Sequence, residues 1–112
     1  MYSNDEINQM IYLIADIADP DKIILFGSYV YGVPNEQSDI DLLVIKNDKE
    51  LSRDEHAELG VAVYEKRKQN NIRTRYDVFF RTDQQVRKSA ENGGAFSDAL
   101  DRGRVVYVRG NQ

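Results

Sequence analysis

Apolar residues recur at helical spacing from Ile7 through Met10, Ile11 and Ile14 to Ile17 and Ala18. Ser3 stands three residues before Glu6, the Ser-x-x-Glu pattern of a capping box. Together they predict an amphipathic first helix, stopped by Asp19-Pro20-Asp21. The pattern then changes to short, nearly continuous apolar runs. Ile23 to Phe26 and Asp39 to Ile45 read as strands, and Tyr29 to Gly32 between them as a single helical turn. Val33-Pro34-Asn35 reads as a loop. Ser52 to about Gln69 reads as a charged helix with Leu59 and Val63 on its apolar side, ended by Asn70-Asn71. Arg75 to Phe80 predicts a third strand, and Thr82 caps a short helix. After the turn Asn92-Gly93-Gly94, Phe96 to Asp101 predicts a last helix and Arg104 to Val108 a fourth strand.

Helices alternating with strands predict an α/β sheet with helices packed on it. The strands are apolar on both sides of the pleat, with Ile23 and Leu25 opposed to Ile24 and Phe26. Strands of that kind are covered on both faces. So short a chain is expected to leave part of the second face to another chain.

Length and composition narrow the picture. The 112 residues suit one domain, 1–112, and no repeat or linker divides them. There is no Cys, which excludes disulfides and thiolate zinc sites. The polar start "MYSNDE" lacks a basic segment followed by an apolar one, and no apolar run approaches the ~20 residues of a membrane span. The expectation is a cytoplasmic protein that does not engage membrane.

A net charge of −4 disfavours general binding of a nucleic-acid backbone, which needs Lys and Arg to displace counterions. Lys66, Arg67, Lys68, Arg73 and Arg75 nevertheless cluster. Two readings stay open: a solvated helix end complementing the helix dipole, and a rim for phosphates or an acidic partner.

The candidate chemistry lies in "LFGSYVYGVPNEQSDIDLLVI". In a strand, residues i and i+2 point the same way, so Asp39 and Asp41 project together. Two adjacent carboxylates repel unless a cation sits between them. Mg²⁺ takes such oxygen ligands together with substrate phosphates. The bland reading is a turn residue followed by a solvent-facing strand residue. Gly27-Ser28, at the end of one strand and before a helical turn, tips the balance. Gly permits close backbone approach, and N–H groups at a helix start favour anions. The Gly27 to Gly32 spacing is no P-loop, because Val33-Pro34 stand where Lys and Ser/Thr are required. If the "RYDVFF" strand lies beside that of Asp39, Asp77 joins the pair. Three carboxylates around two metals form a phosphoryl-transfer arrangement.

At this point the sequence resembles the polymerase-β-type nucleotidyltransferases, whose signature is Gly-Ser, ten residues, then Asp-x-Asp. Here Tyr29 to Ser38 are the ten. Length and helix-first order look most like the minimal nucleotidyltransferases (MNT), over nearly the whole chain. The resemblance implies a single small mixed sheet with helices packed mainly on one face. It implies transfer of AMP from ATP, with Gly27 and Ser28 holding phosphates, Asp39 and Asp41 binding two Mg²⁺ ions, and Asp77 completing the site that activates the acceptor. It further implies an antitoxin that adenylylates a Tyr of a HEPN RNase toxin, with which it forms a hetero-oligomer. Neutralisation by binding alone is the alternative, and a small-molecule acceptor such as an aminoglycoside a weaker one. Tyr29 and Tyr31 stand where family members commonly carry Arg. The cation is then missing, or supplied by Arg73, Arg75 or the partner.

Overall fold

Ser3 accepts a hydrogen bond from the Glu6 N–H, and Glu6 accepts one from the Ser3 N–H, closing the expected capping box. It opens helix α1 (Asn4–Ala18) in a computed structural model that describes residues 1–110. The same device opens α3 (Arg53–Gln69), through Ser52 and Glu55, and α4 (Asp83–Glu91), through Thr82 and Gln85. A single turn, α2 (Ser28–Tyr31), follows strand β1 (Lys22–Phe26). Strands β2 (Ile40–Ile45), β3 (Tyr76–Arg81) and β4 (Arg104–Val108) and helix α5 (Ser97–Arg102) complete the described elements.

The four strands form one mixed sheet in the order β3-β2-β1-β4. β1 runs antiparallel to β2 and to β4, while β2 and β3 are parallel. Alternation sorts the side chains. Ile23 and Leu25 of β1, and Ile40, Leu42 and Val44 of β2, share a core with Ile7, Met10, Ile14 and Val63 of α1 and α3. Each of these fully sealed aliphatic side chains contributes about 1.5–3 kcal/mol relative to exposure.

The opposite face of the sheet differs from expectation. Ile24, Leu43 and Ile45 are buried there with Val86 of α4 and with Phe96 and Ala99, at the start of and within α5. The chain therefore covers this part of its second face itself. The expectation, from the shortness of the chain, is that part of this face falls to another chain; α4 and α5, of nine and six residues, cover the part around Ile24, Leu43 and Ile45. They suffice because Phe96 packs edge-on against Phe79 and Phe26, with ring centroids 5.5 and 6.3 Å away. The two long helices do lie together on one face, as expected. Large apolar side chains that stay exposed include Tyr12, Val61 and Tyr64 on α1 and α3, and Val105 and Val108 on the edge strand β4.

Candidate active site

The β2–β3 pairing sets the site. In the parallel register Asp41 lies directly opposite Asp77, as Leu42 lies opposite Val78. Neighbouring strands are about 4.8 Å apart, so residues in register on one face present their side chains together. The even alternation that sends Ile40 and Leu42 under α1 and α3 sends Asp41 and Asp77 to the α4/α5 face. β1 contributes from the other side, where Phe26 pairs with Asp41 and Gly27 follows.

Gly27 adopts φ +79°, and a Cβ added there would fall 2.1 Å from Asp41 Oδ2. Only glycine leaves room for that carboxylate. The close approach anticipated at Gly27 is thus made within the protein, by Asp41 itself. The Gly27 carbonyl accepts from the Val30 and Tyr31 N–H groups, which turns the chain into α2 at once. Ser28, the first residue of α2, is held beside it.

Asp41 is half-buried, and its carboxyl is pushed up to about 6. Burial is the largest cause, followed by the negative charges of Asp77 and then Asp39, and by a hydrogen bond with Asp77. Desolvation and like-charge repulsion both disfavour the ionised form. A cation bound here would relieve that repulsion, and carboxylate oxygens are the donors a hard divalent ion takes. The chemistry of Asp41 and Asp77 therefore fits Mg²⁺.

Asp39 is placed differently. It precedes β2 rather than lying within it, and its Oδ1 is 3.0 Å from Arg75 Nε. Arg75 is fixed there by its backbone: its carbonyl accepts from the Ile40 N–H at 3.1 Å, and its own N–H donates to Tyr2 Oη at 2.9 Å. Its Nη2 also donates to the Glu36 carbonyl at 2.9 Å. Among the described residues no group of three or more His, Cys, Asp or Glu is arranged to hold a metal ion. Asp39 is thus engaged by Arg75, while its negative charge still bears on Asp41.

The two tyrosines beside Gly27-Ser28 have their own partners. Tyr29 stacks on Tyr2, centroids 6.2 Å apart, and its hydroxyl accepts from the Tyr2 N–H at 3.0 Å. Tyr31 carries the Arg102 guanidinium 4.2 Å above its ring. A cation from α5 thus stands next to α2, a source that sequence reasoning missed. Within the basic cluster, Arg67 turns inward between Tyr64 and Tyr76 and donates to the Thr74 carbonyl at 3.0 Å. It supports the fold, which leaves Lys66, Lys68, Arg73 and Arg75 on the surface.

Comparison with known proteins shows the family and the fold. Residues 9–106 match the family model described as "Nucleotidyltransferase domain". No curated protein matches the chain. Among solved structures, the chain is similar to one in a toxin–antitoxin crystal structure with AMP-PNP, at 23% identity and a TM-score of 0.59, covering 92% of this chain and 73% of that one. It is also similar to a candidate nucleotidyltransferase from Sulfolobus solfataricus, at 15% identity and a TM-score of 0.56, covering 98% and 93%. At these identities the likeness is one of fold.

Proposed function

The chain belongs to the nucleotidyltransferase-domain family, and from that premise we propose that it transfers AMP from ATP to a Tyr hydroxyl of a partner HEPN RNase toxin and so acts as its antitoxin. The observation that carries the reading is the register of Asp41 against Asp77 beside Gly27-Ser28. In this reading Gly27 and Ser28 hold the terminal phosphates. Asp41 and Asp77, with Asp39 once it leaves Arg75, would hold Mg²⁺, which would supply neutralisation of triphosphate charge. Asp77 accepts the proton of the acceptor hydroxyl. The hydroxyl oxygen bonds to the α-phosphorus, the α–β phosphoanhydride bond breaks, and pyrophosphate departs with its electron pair. The toxin–antitoxin neighbour with AMP-PNP supports both the partner class and the nucleotide.

The second reading is neutralisation by contact alone, and the Asp39–Arg75 pair favours it, because one of the three carboxylates is engaged elsewhere. The double variant Asp39→Asn/Asp41→Asn separates the two. Incubation with labelled ATP, Mg²⁺ and the HEPN protein should label the partner with the native chain and not with the variant, while partner binding persists in both. Full protection of cells by the folded, partner-bound, transfer-dead variant would establish the contact mechanism instead.

A further inference from the structure

Beside Asp39 lies a groove of about 380 Å³ between the end of α3 and the start of β3, lined by Tyr64, Arg67, Lys68, Asn71, Arg73 and Arg75. We propose that this groove docks an acidic, carboxylate-bearing segment of a partner protein, and that the segment draws Arg75 away from Asp39. The second half of the proposal rests on the reading of Asp39, Asp41 and Asp77 as the transfer site.

Charge is the first argument. The chain has 19 acidic residues against 15 basic, yet four cations line this one groove. The dipole of α3 accounts for Lys66, Arg67 and Lys68 in its last turn. It does not account for Arg73 and Arg75, which come from the connection into β3. Lys68 and Arg73 are exposed, and among the described residues neither has a carboxylate within 4.0 Å. A partner supplying carboxylates meets positive charge with no internal competitor at these two positions.

The surroundings argue for a protein rather than a nucleic acid. Tyr64 at the groove, and Val61 and Tyr12 on the same pair of helices, are 48%, 60% and 68% exposed. Exposed aromatic side chains next to Arg are the composition of protein contacts. A nucleic-acid backbone running past the groove would meet a chain of net charge −4. A short acidic segment needs only the local cations.

Arg75 links the groove to the carboxylates. Its ion pair with Asp39 is solvent-exposed on both sides, and exposed pairs of this kind are weak and readily exchanged. A carboxylate arriving at the groove competes for the same guanidinium. Once released, Asp39, two residues from Asp41 along the chain, has its carboxylate free for a cation shared with Asp41. Partner engagement would thereby complete the carboxylate set.

A fluorescein-labelled octaglutamate peptide is the probe, followed by anisotropy at low ionic strength, where screening is least. The intact chain should bind it, and Lys68→Glu/Arg73→Glu should weaken binding at least tenfold. Lys68→Gln/Arg73→Gln should fall between. Both positions are exposed, so circular dichroism should be unchanged. In protein labelled with ¹⁵N-arginine, the Arg75 Nε–H resonance, assigned by its loss in Arg75→Lys, should shift as peptide saturates. No peptide binding, binding indifferent to charge reversal, a stationary Arg75 resonance, or tighter binding of an eight-nucleotide oligothymidylate would each overturn the proposal. None of these readouts needs nucleotide transfer. Peptide binding without any transfer to the HEPN protein would sink the transfer reading alone, and transfer without peptide binding would sink the groove alone.

Discussion

On one face of β2, Ile40, Leu42 and Val44 are sealed under α1 and α3, whereas on the other face Leu43 and Ile45 are covered but Asp41 is only half-buried. The strand is the same and its residues alternate between two jobs. The face under the long helices is apolar along the whole strand. The face under the short helices is a core at one end and a site at the other. The cover of α4 and α5 stops at Phe26, Phe79 and Phe96, and the carboxylates of Asp41 and Asp77 begin beyond that aromatic wall. A site of like charges needs water or a ligand on one side and a rigid support on the other. A half-covered sheet face meets both needs.

If the two faces really divide fold from chemistry, substitutions on them should separate in kind. Asp77→Asn should lower AMP transfer about 10²–10⁴-fold, the usual contribution of a positioned acid or base, with the melting transition nearly unchanged. Asp77 is exposed, so its removal leaves no cavity. Transfer assays at saturating ATP, read beside thermal melts, would check this. A loss of transfer matched by loss of folding would erase the division.

Leu42→Ala should do the reverse. Leu42 is fully buried on the α1/α3 face. The substitution should destabilise by about 2–5 kcal/mol in urea unfolding, while the folded fraction keeps its specific activity. Gly27→Ala sits on the boundary and should harm both. The added Cβ overlaps Asp41 Oδ2 at a φ that side chains rarely adopt, so a loss of about 1–3 kcal/mol is expected together with weaker ATP binding. Calorimetric titration with ATP and denaturant unfolding would show the two losses in one variant. An unchanged ATP affinity in a folded Gly27→Ala protein would place the nucleotide elsewhere.

The smallest effect is a gain. The Asp41 carboxyl is near 6 in the folded chain, above its ordinary 3.8, so folding favours its protonated form. The resulting penalty on folding is absent below pH 3.8, grows between pH 3.8 and about 6, and is fully present above that. Asp41→Asn should raise the melting temperature at pH 8 by roughly 2–5 °C, after allowance for solvent screening, and leave it unchanged at pH 3.5. A gain independent of pH would mean that repulsion among the carboxylates is not its source.

Much of this was legible along the chain. Capping boxes, helical spacing and the end of β1 at Gly27 depend on residues a few positions apart. Such features are set by backbone geometry that each segment carries with it. Three matters required the whole fold. The parallel pairing of β2 with β3 brought Asp77 opposite Asp41 from 36 positions away, giving the expected third carboxylate its place. The packing of Phe96 on Phe26 and Phe79 let α4 and α5 cover part of a sheet face where so short a chain is expected to leave cover to another chain. The bond between the Ile40 N–H and the Arg75 carbonyl set Arg75 beside Asp39 and so gave that carboxylate a cation as its neighbour. Periodicity states which way a side chain points, but not which strand lies next to it. That choice is made by burial summed over distant segments, and it decided which of the charges meet.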